Sequence, residues 1–455
     1  MGMGRRKRER QDEFWVATDS LPKTPRHVFY EKLNELLAEA GFDEFVEELC
    51  EPFYADGCGR PSIPPGVYFR MLFIGYFEGI DSQRGIAWRC DDSRSLAAFL
   101  GYGRNEATPD HSSLTNTRKR LPIPIYDDVF SFVLKMVEDH RLLSGKTVAV
   151  DATTLEANAA MKSIVRKETG EDWKEYVSRL AEEDGVEIEN DEDLRRFDKN
   201  RKNKKVPNSE WESSTDTDSR IAKMKDGRTR LAYKAEHVID LESEVILAAE
   251  VYHADRGDTD TMLPSLSAAQ KNLHDVNLCR DIEEAVADKG YHSAGLLEEC
   301  AWWGTFGLRT YIPEPERKTC WDWTDRSATQ QKAVYGNSRR VKGKRSKRLQ
   351  RQRSERVERS FAHVCETGGA RRIWLRGIEK VNQRYKITAA ARNLGLLMRA
   401  VFGIGKPRAL QGGFSLVYFL QVATDAISTV LSRIERPLPT TNSYNQTDQR
   451  FAAAI

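Results

Sequence analysis

Three carboxylates stand where chemistry could use them: Asp151 in VAVDATT, Asp288 in EEAVADKGYHS and Glu358 in SERVERSFAHV. Asp151 and Asp288 each follow a short apolar run, so each sits near the end of an expected strand. A single aspartate in that position is ordinarily a cap or turn residue. Two of them at the carboxyl ends of adjacent parallel strands would share one crevice, where α/β sheets collect functional groups. A helix packed across the sheet would then add the third carboxylate. Oxygen ligands of this kind suit hard cations such as Mg²⁺ or Mn²⁺. Two such ions about 4 Å apart clamp the attacking and leaving oxygens of an in-line phosphoryl transfer.

The third carboxylate has to be chosen between Glu355 and Glu358, both inside the arginine-rich run RLQRQRSERVERSF. At helical spacing Val357, Phe361 and Val364 form one apolar stripe, which should face the sheet. Glu358 lies at the edge of that stripe, on the side of Ser354, Ala362 and Cys365. Glu355 projects more nearly opposite and reads as an ion-pair partner on the charged face.

The elements that must position these residues follow from hydrophobic period and punctuation. From residue 24 to about 122 the chain reads as helices only, opened by Thr24 and Pro25 as a cap and first-turn pair. The last of them, TPDHSSLTNTRKRL, is short and polar and presents Asn116, Arg118 and Lys119, side chains able to contact base edges and phosphates. After Gly145 come a strand (KTVAVDATT), a charged stretch over 160–215 that reads as a helical or mobile insertion, and two strands joined by LESE as a hairpin. A helix, a strand ending in ADKGY, a helix and the strand FGLRTYIP complete a mixed sheet, hence an α/β fold. The GG of CETGG and Gly377 read as turn residues. His253 and Asp258 read as residues of a strand-to-helix junction where capping is expected, and His292 as a hydrogen-bonded structural residue.

Bulk properties bound the function more loosely. Lys+Arg 71 against Asp+Glu 69 leaves a net charge of +2, so only the local basic runs (MGMGRRKRER, KNRKNKK and Lys332 to Arg359) speak for a polyanionic partner. Seven cysteines without CxxC or matching histidine spacing exclude a zinc ribbon and fit a reduced, cytoplasmic protein. FSLVYFLQVATDAISTVL is interrupted by Gln421 and Asp425, which argues against a membrane span. No P-loop pattern is present, so nucleotide hydrolysis is not implied.

The ordered set VAVDATTLEAN, ADKGYHS, VERSFAHV, TGGARRIWLRG and AAARNLGLLMR resembles the DDE transposases of bacterial insertion sequences, in the IS4-like and IS5-like branch. Residues 50 to 122 resemble that group's N-terminal helical transposase domain. The resemblance implies a ribonuclease H-like catalytic core in which Asp151, Asp288 and Glu358 hold two Mg²⁺ or Mn²⁺ ions. It implies cleavage of the element's ends by water, then attack of the freed 3′ hydroxyl on target DNA. Its partners would be double-stranded DNA, both terminal inverted repeats and target, with a homodimer in the complex. The related elements often carry Tyr, Arg and Lys around the glutamate, whereas the positions four before and seven after it hold Ser354 and Cys365 here; Arg351, Arg353, Arg356 and Arg359 stand in as DNA contacts. The expected organisation is a basic N-terminus (1–24), a helical DNA-binding domain (25–125), a catalytic domain (145–405) and a C-terminal helix and tail (406–455). A DNA-binding repressor without catalysis and a nuclease without strand transfer are the alternatives.

Overall fold

The computed structural model describes residues 27–407 apart from 56–61, 104, 202–206, 225, 277–279, 305–306, 318–320 and 325. The basic N-terminus, the Thr24–Pro25 cap and the apolar stretch after Gly413 therefore lie outside the described residues. One compact unit runs to Gly405, and everything below belongs to it.

Seven helices come first: α1 (Val28–Glu39), α2 (Phe42–Cys50), α3 (Pro65–Glu78), α4 (Gln83–Asp92), α5 (Arg94–Phe99), α6 (His111–Arg120) and α7 (Ile123–Asp139). α3 is the hub, because Tyr68 to Phe77 are all buried and apolar residues surround its axis. α6 starts at Asp110, whose carboxylate accepts from the Ser112 amide at 2.7 Å, not at Thr108. α7 extends the helical set beyond residue 125, and the sequence reading did not include it. Pro122 and Pro124 look like a break, yet proline fits the first turn of a helix, where its missing N–H costs nothing.

The remaining chain builds the sheet and its covering helices. In order these are β1 (Thr147–Glu156), β2 (Ile164–Arg166), α8 (Trp173–Glu183), α9 (Asp191–Asn200), β3 (Trp211–Ser213), β4 (Arg220–Lys223), β5 (Thr229–Asp240), β6 (Ile246–His253), α10 (Asp258–Asp275), β7 (Glu284–Val286), α11 (Ala294–Ala301), β8 (Arg309–Tyr311), α12 (Ala328–Val341), α13 (Lys344–Phe361) and α14 (Ile378–Phe402). β4 and β6 pair antiparallel with β5, β5 antiparallel with β1, and β1, β7 and β8 run parallel. The mixed α/β sheet expected from the sequence is present.

Side chains alternate across β5, so His237 and Glu236 face opposite sides. α13 covers the His237 side through Ser360, and α10 covers the Glu236 side through Thr261. α14 closes the free side of β6, where Asn393 bonds both the amide and the carbonyl of Ile246 at 3.0 and 2.8 Å. A sheet edge satisfied in this way cannot recruit another strand there.

The charged 160–215 stretch folds. β2 and β3 pair antiparallel, and α8 and α9 enclose a small core of Tyr176, Val177, Leu194 and Trp211. Arg166 lies over the Tyr176 ring at 4.8 Å and pairs with Glu210 at 2.9 Å, so cations supply part of what apolar content does not.

Candidate active site

The register of β1 on β7 runs Thr147↔Glu284, Val148↔Ala285 and Ala149↔Val286. Continued to the strand ends, it sets Asp151 level with Asp288. By strand alternation Asp151 shares the face of Thr147, whose hydroxyl donates to Glu284 at 2.8 Å. Asp288 itself lies just past β7, where its Oδ1 accepts from the Gly290 amide at 2.8 Å and caps a 3-10 turn over Lys289–Tyr291.

α13 crosses this face by a ladder of polar contacts. Arg345 bonds Glu284 at 3.1 Å through its Nε, Gln350 donates to the carbonyls of Ala287 and Tyr311 at 3.0 and 2.6 Å, and Arg353 Nη1 donates to Asp151 Oδ2 at 2.7 Å. Val357 and Phe361 are buried as the stripe required, but Glu358 is exposed. Glu355 pairs with Arg359 at 2.5 Å. The side chain that α13 delivers to Asp151 is thus an arginine. Among the described residues no group of three His, Cys, Asp or Glu is arranged to hold a metal ion. By donor type Asp151 and Asp288 suit a hard cation, but the three predicted carboxylates do not converge, and a cation taking Asp151 Oδ2 must displace Arg353.

The arginines expected to hold DNA are mostly engaged within the chain. Besides Arg353, Arg356 donates to the Glu242 carbonyl at 3.3 Å and Arg359 pairs with Glu244 at 2.5 Å; Arg351 is exposed. On α6, Asn116 and Lys119 are exposed, whereas Arg118 is half-buried and lines an internal cavity. Arg118 is thus less open than its two neighbours, because the α6 face that packs on α4 turns it partly inward.

Lys234, Glu236 and Thr261 at the rim escaped the sequence reading. Lys234 Nζ bonds Asp258 Oδ1 at 2.6 Å and Thr261 Oγ1 at 2.8 Å, and Thr261 and Tyr291 both donate to Glu236 Oε2, at 2.7 and 2.8 Å. Burial pushes the Glu236 carboxyl pKa up, against those hydrogen bonds and the Lys234 charge. Burial, with Glu236, Asp258 and Asp151 nearby, pushes the Tyr291 phenol well up. Asp258 is therefore an ion-pair partner at the mouth of the site, not a helix cap. The available signal was Lys234 and Glu236 two apart on a strand: charges on one face of a central strand persist only when paired.

Gly290 leaves room for two carboxylates. A Cβ there would stand 2.7 Å from Asp258 Oδ2 and 3.0 Å from Asp288 Oδ1. Gly290→Ala is expected to displace the Asp288 carboxylate and lower strand cleavage about a hundredfold, with circular dichroism unchanged. Parental cleavage rates in this variant would show that Asp288 need not sit where it does.

His237, opposite Asp151 in the β1–β5 register, pins the helices behind the site. Its Nδ1 meets Ser360 Oγ at 2.9 Å, its Nε2 meets Tyr385 Oη at 2.8 Å, and Phe361 stacks on the ring at 4.1 Å. Burial, with Arg392 nearby, holds its pKa well below the ordinary imidazole value. The unfolded chain then takes up a proton below about pH 6.5 that the folded chain refuses, so stability falls as pH drops, by about 1.4 kcal/mol per pH unit. Urea titrations at stepped pH should show this slope in the parent and a shallower one in His237→Gln; equal slopes would remove the assignment.

Comparison with known families bears on the whole arrangement. A transposase domain (DUF772) matches residues 19–120, and a transposase DDE domain matches residues 319–398. The second match spans α12, α13 and most of α14, including Glu358, and does not extend to Asp151 or Asp288. These two domains, in this order, bear out the resemblance to the DDE transposases of insertion sequences. No curated protein and no solved structure matches the chain. No helix among the described residues is long and apolar enough to cross a membrane.

Proposed function

We propose that the chain is a metal-dependent DNA transposase: it cuts the ends of an insertion sequence and joins them to target DNA. The observation that carries this reading is the pair Asp151 and Asp288, level at the ends of adjacent parallel strands, under an arginine-rich helix that lies inside the DDE-domain match. The mixed sheet with helices on both faces supports a ribonuclease H-like core over 145–405, preceded by a DNA-binding helical domain that starts near residue 25 and extends through α7.

Asp151 and Asp288 would hold Mg²⁺ or Mn²⁺, two ions, which supply an activated water and charge stabilisation at the reacting phosphate, and Glu358 would complete the set only with α13 moved from the position that pairs Arg353 with Asp151. Arg353 orients the Asp151 carboxylate and is the cation nearest to a phosphate brought to the rim. Lys234 and Tyr291 hold Asp258 and Glu236 in place beneath it. Exposed Arg351, Asn116 and Lys119 remain available to the DNA backbone, and a homodimer on double-stranded DNA is the proposed working assembly.

The test is incubation of the purified protein with a labelled duplex carrying the element's end, a target plasmid and Mg²⁺. Cut and joined products are expected. Binding without cutting would favour a repressor, and cutting without joining a nuclease.

A further inference from the structure

α13 is tied down at its start, and the chain is tied down again shortly after its end. Arg345 Nε bonds Glu284 at 3.1 Å, and Gln350 bonds the Ala287 and Tyr311 carbonyls at 3.0 and 2.6 Å. Past the helix, the Glu156 amide of β1 donates to the Arg371 carbonyl at 2.9 Å, and the Ile373 amide donates to the Glu156 carbonyl at 2.8 Å. Between these anchors the helix carries slack. It is taken up in a π-helical turn over Ala362–Thr367, closed by the Gly368 amide on the His363 carbonyl at 2.9 Å. Such a turn is an α-helix with one residue inserted; it is rare, and frequent at functional sites.

With both ends anchored, the inserted residue can lie on either side of Glu358. Lying after it, as here, it leaves Val357 and Phe361 on the sheet and Glu358 exposed. Moved back to the turn that follows Gln350, it would make each residue from Ser354 onward take the place of the one before, a rotation of about 100° and a rise of about 1.5 Å. Ser354 would stand where Arg353 stands, and Glu358 where Val357 stands. That place lies on α13 between Arg353, which bonds Asp151 at 2.7 Å, and Ser360, which bonds His237 at 2.9 Å. Asp151 and His237 are direct neighbours in the β1–β5 register. One movement thus withdraws the guanidinium from Asp151 and brings a carboxylate toward it.

The observed register keeps Val357 buried, Ser360 bonded to His237 and Phe361 stacked on its ring. These contacts favour it while the carboxylates hold no cation. Against them, Arg353 Nε is buried without a hydrogen-bond partner among the described residues, so the arginine is only partly satisfied at Asp151.

We infer that α13 has two registers, and that the inserted residue passes from 362–367 to the turn before Glu358 when a divalent cation takes Asp151 and Asp288. The inference rests on the reading of Glu358 as the third ligand. A cation that binds one register better draws the protein to it. Single deletions fix each register, because either one removes the inserted residue. Without Ala362, Glu358 stays exposed; without Gln352, Glu358 takes the place of Val357.

Mn²⁺ is titrated into the full-length protein without DNA, and the free ion is read by electron paramagnetic resonance. Glu358→Gln should weaken binding about tenfold, since affinity follows the number of charged ligands. Deleting Ala362 should weaken it as much, and adding Glu358→Gln to that deletion should change nothing more. Deleting Gln352 should leave binding at least as tight as in the parent and still sensitive to Glu358→Gln. Equal Mn²⁺ affinity in the two deletion variants, or a Gln352 deletion that does not fold, overturns the two registers alone. If the Ala362 deletion does not fold, the Gln352 deletion decides against the parent, and weaker binding there overturns them. Parental affinity in Glu358→Gln overturns the third ligand as well.

Discussion

Asp151→Ala and Asp288→Ala should each lower metal-dependent strand cleavage by about a thousandfold or more, since each removes a proposed metal ligand. Neither change should unfold the protein. Both aspartates are half-buried at the sheet's rim, and Asp151 accepts from Arg353 and the Ala152 amide, contacts to groups that water can also satisfy. DNA affinity should hold or rise in both, because a negative charge is removed beside a polyanion and, at residue 151, an arginine is released. Gel-shift titration beside the cleavage assay separates the two effects. Weakened binding in proportion to lost cutting would mean that the aspartates serve the fold and not the chemistry.

Lys386→Met should cost about 3–5 kcal/mol of stability, read from the urea midpoint. Lys386 is almost fully buried on α14, and its ammonium meets Glu250 of β6 at 2.5 Å and Asp127 of α7 at 2.7 Å. Burial would lower its pKa, and the two carboxylates overturn that, so the net shift is upward. Removing the cation leaves both acids facing each other with no counter-charge. Adding Glu250→Gln to Lys386→Met should restore part of the loss, since one acid can then stay charged without a like neighbour. A midpoint unmoved by Lys386→Met would show that this junction of helical set and sheet is held by apolar packing alone.

The sheet was legible because β1 opens on a β-branched run with alternation, and β5 and β6 are apolar runs separated by the turn residues LESE. The pairing of β1 with β7 was a condition in the sequence and became a register in the structure. α7 was missed because Pro122 and Pro124 carry opposite meanings at a helix start and inside one. The 160–215 insertion was left undecided because its core is four buried residues helped by arginines over rings, a signal too sparse for periodicity.

Glu358 marks where helical spacing stops informing. The stripe of Val357 and Phe361 fixed which side of α13 is buried, and that held. It could not say how far along the sheet each turn of the helix falls. Gln350 bonds the Ala287 and Tyr311 carbonyls and Arg353 bonds Asp151, so the turn opposite the aspartates is the one carrying Arg353, with Glu358 more than a turn beyond. The half-burial of Arg118 has a related origin: a polar helix looks the same in sequence whichever charged face packs inward.

The most direct measurement compares Glu358→Gln with Glu355→Gln in the cleavage and joining assay with Mg²⁺. Glu358→Gln should give neither cut nor joined product, and Glu355→Gln, which loses only an exposed pair with Arg359 worth a few tenths of a kcal/mol, should match the parent. Cutting by Glu358→Gln at the parental rate would contradict the assignment of the third carboxylate.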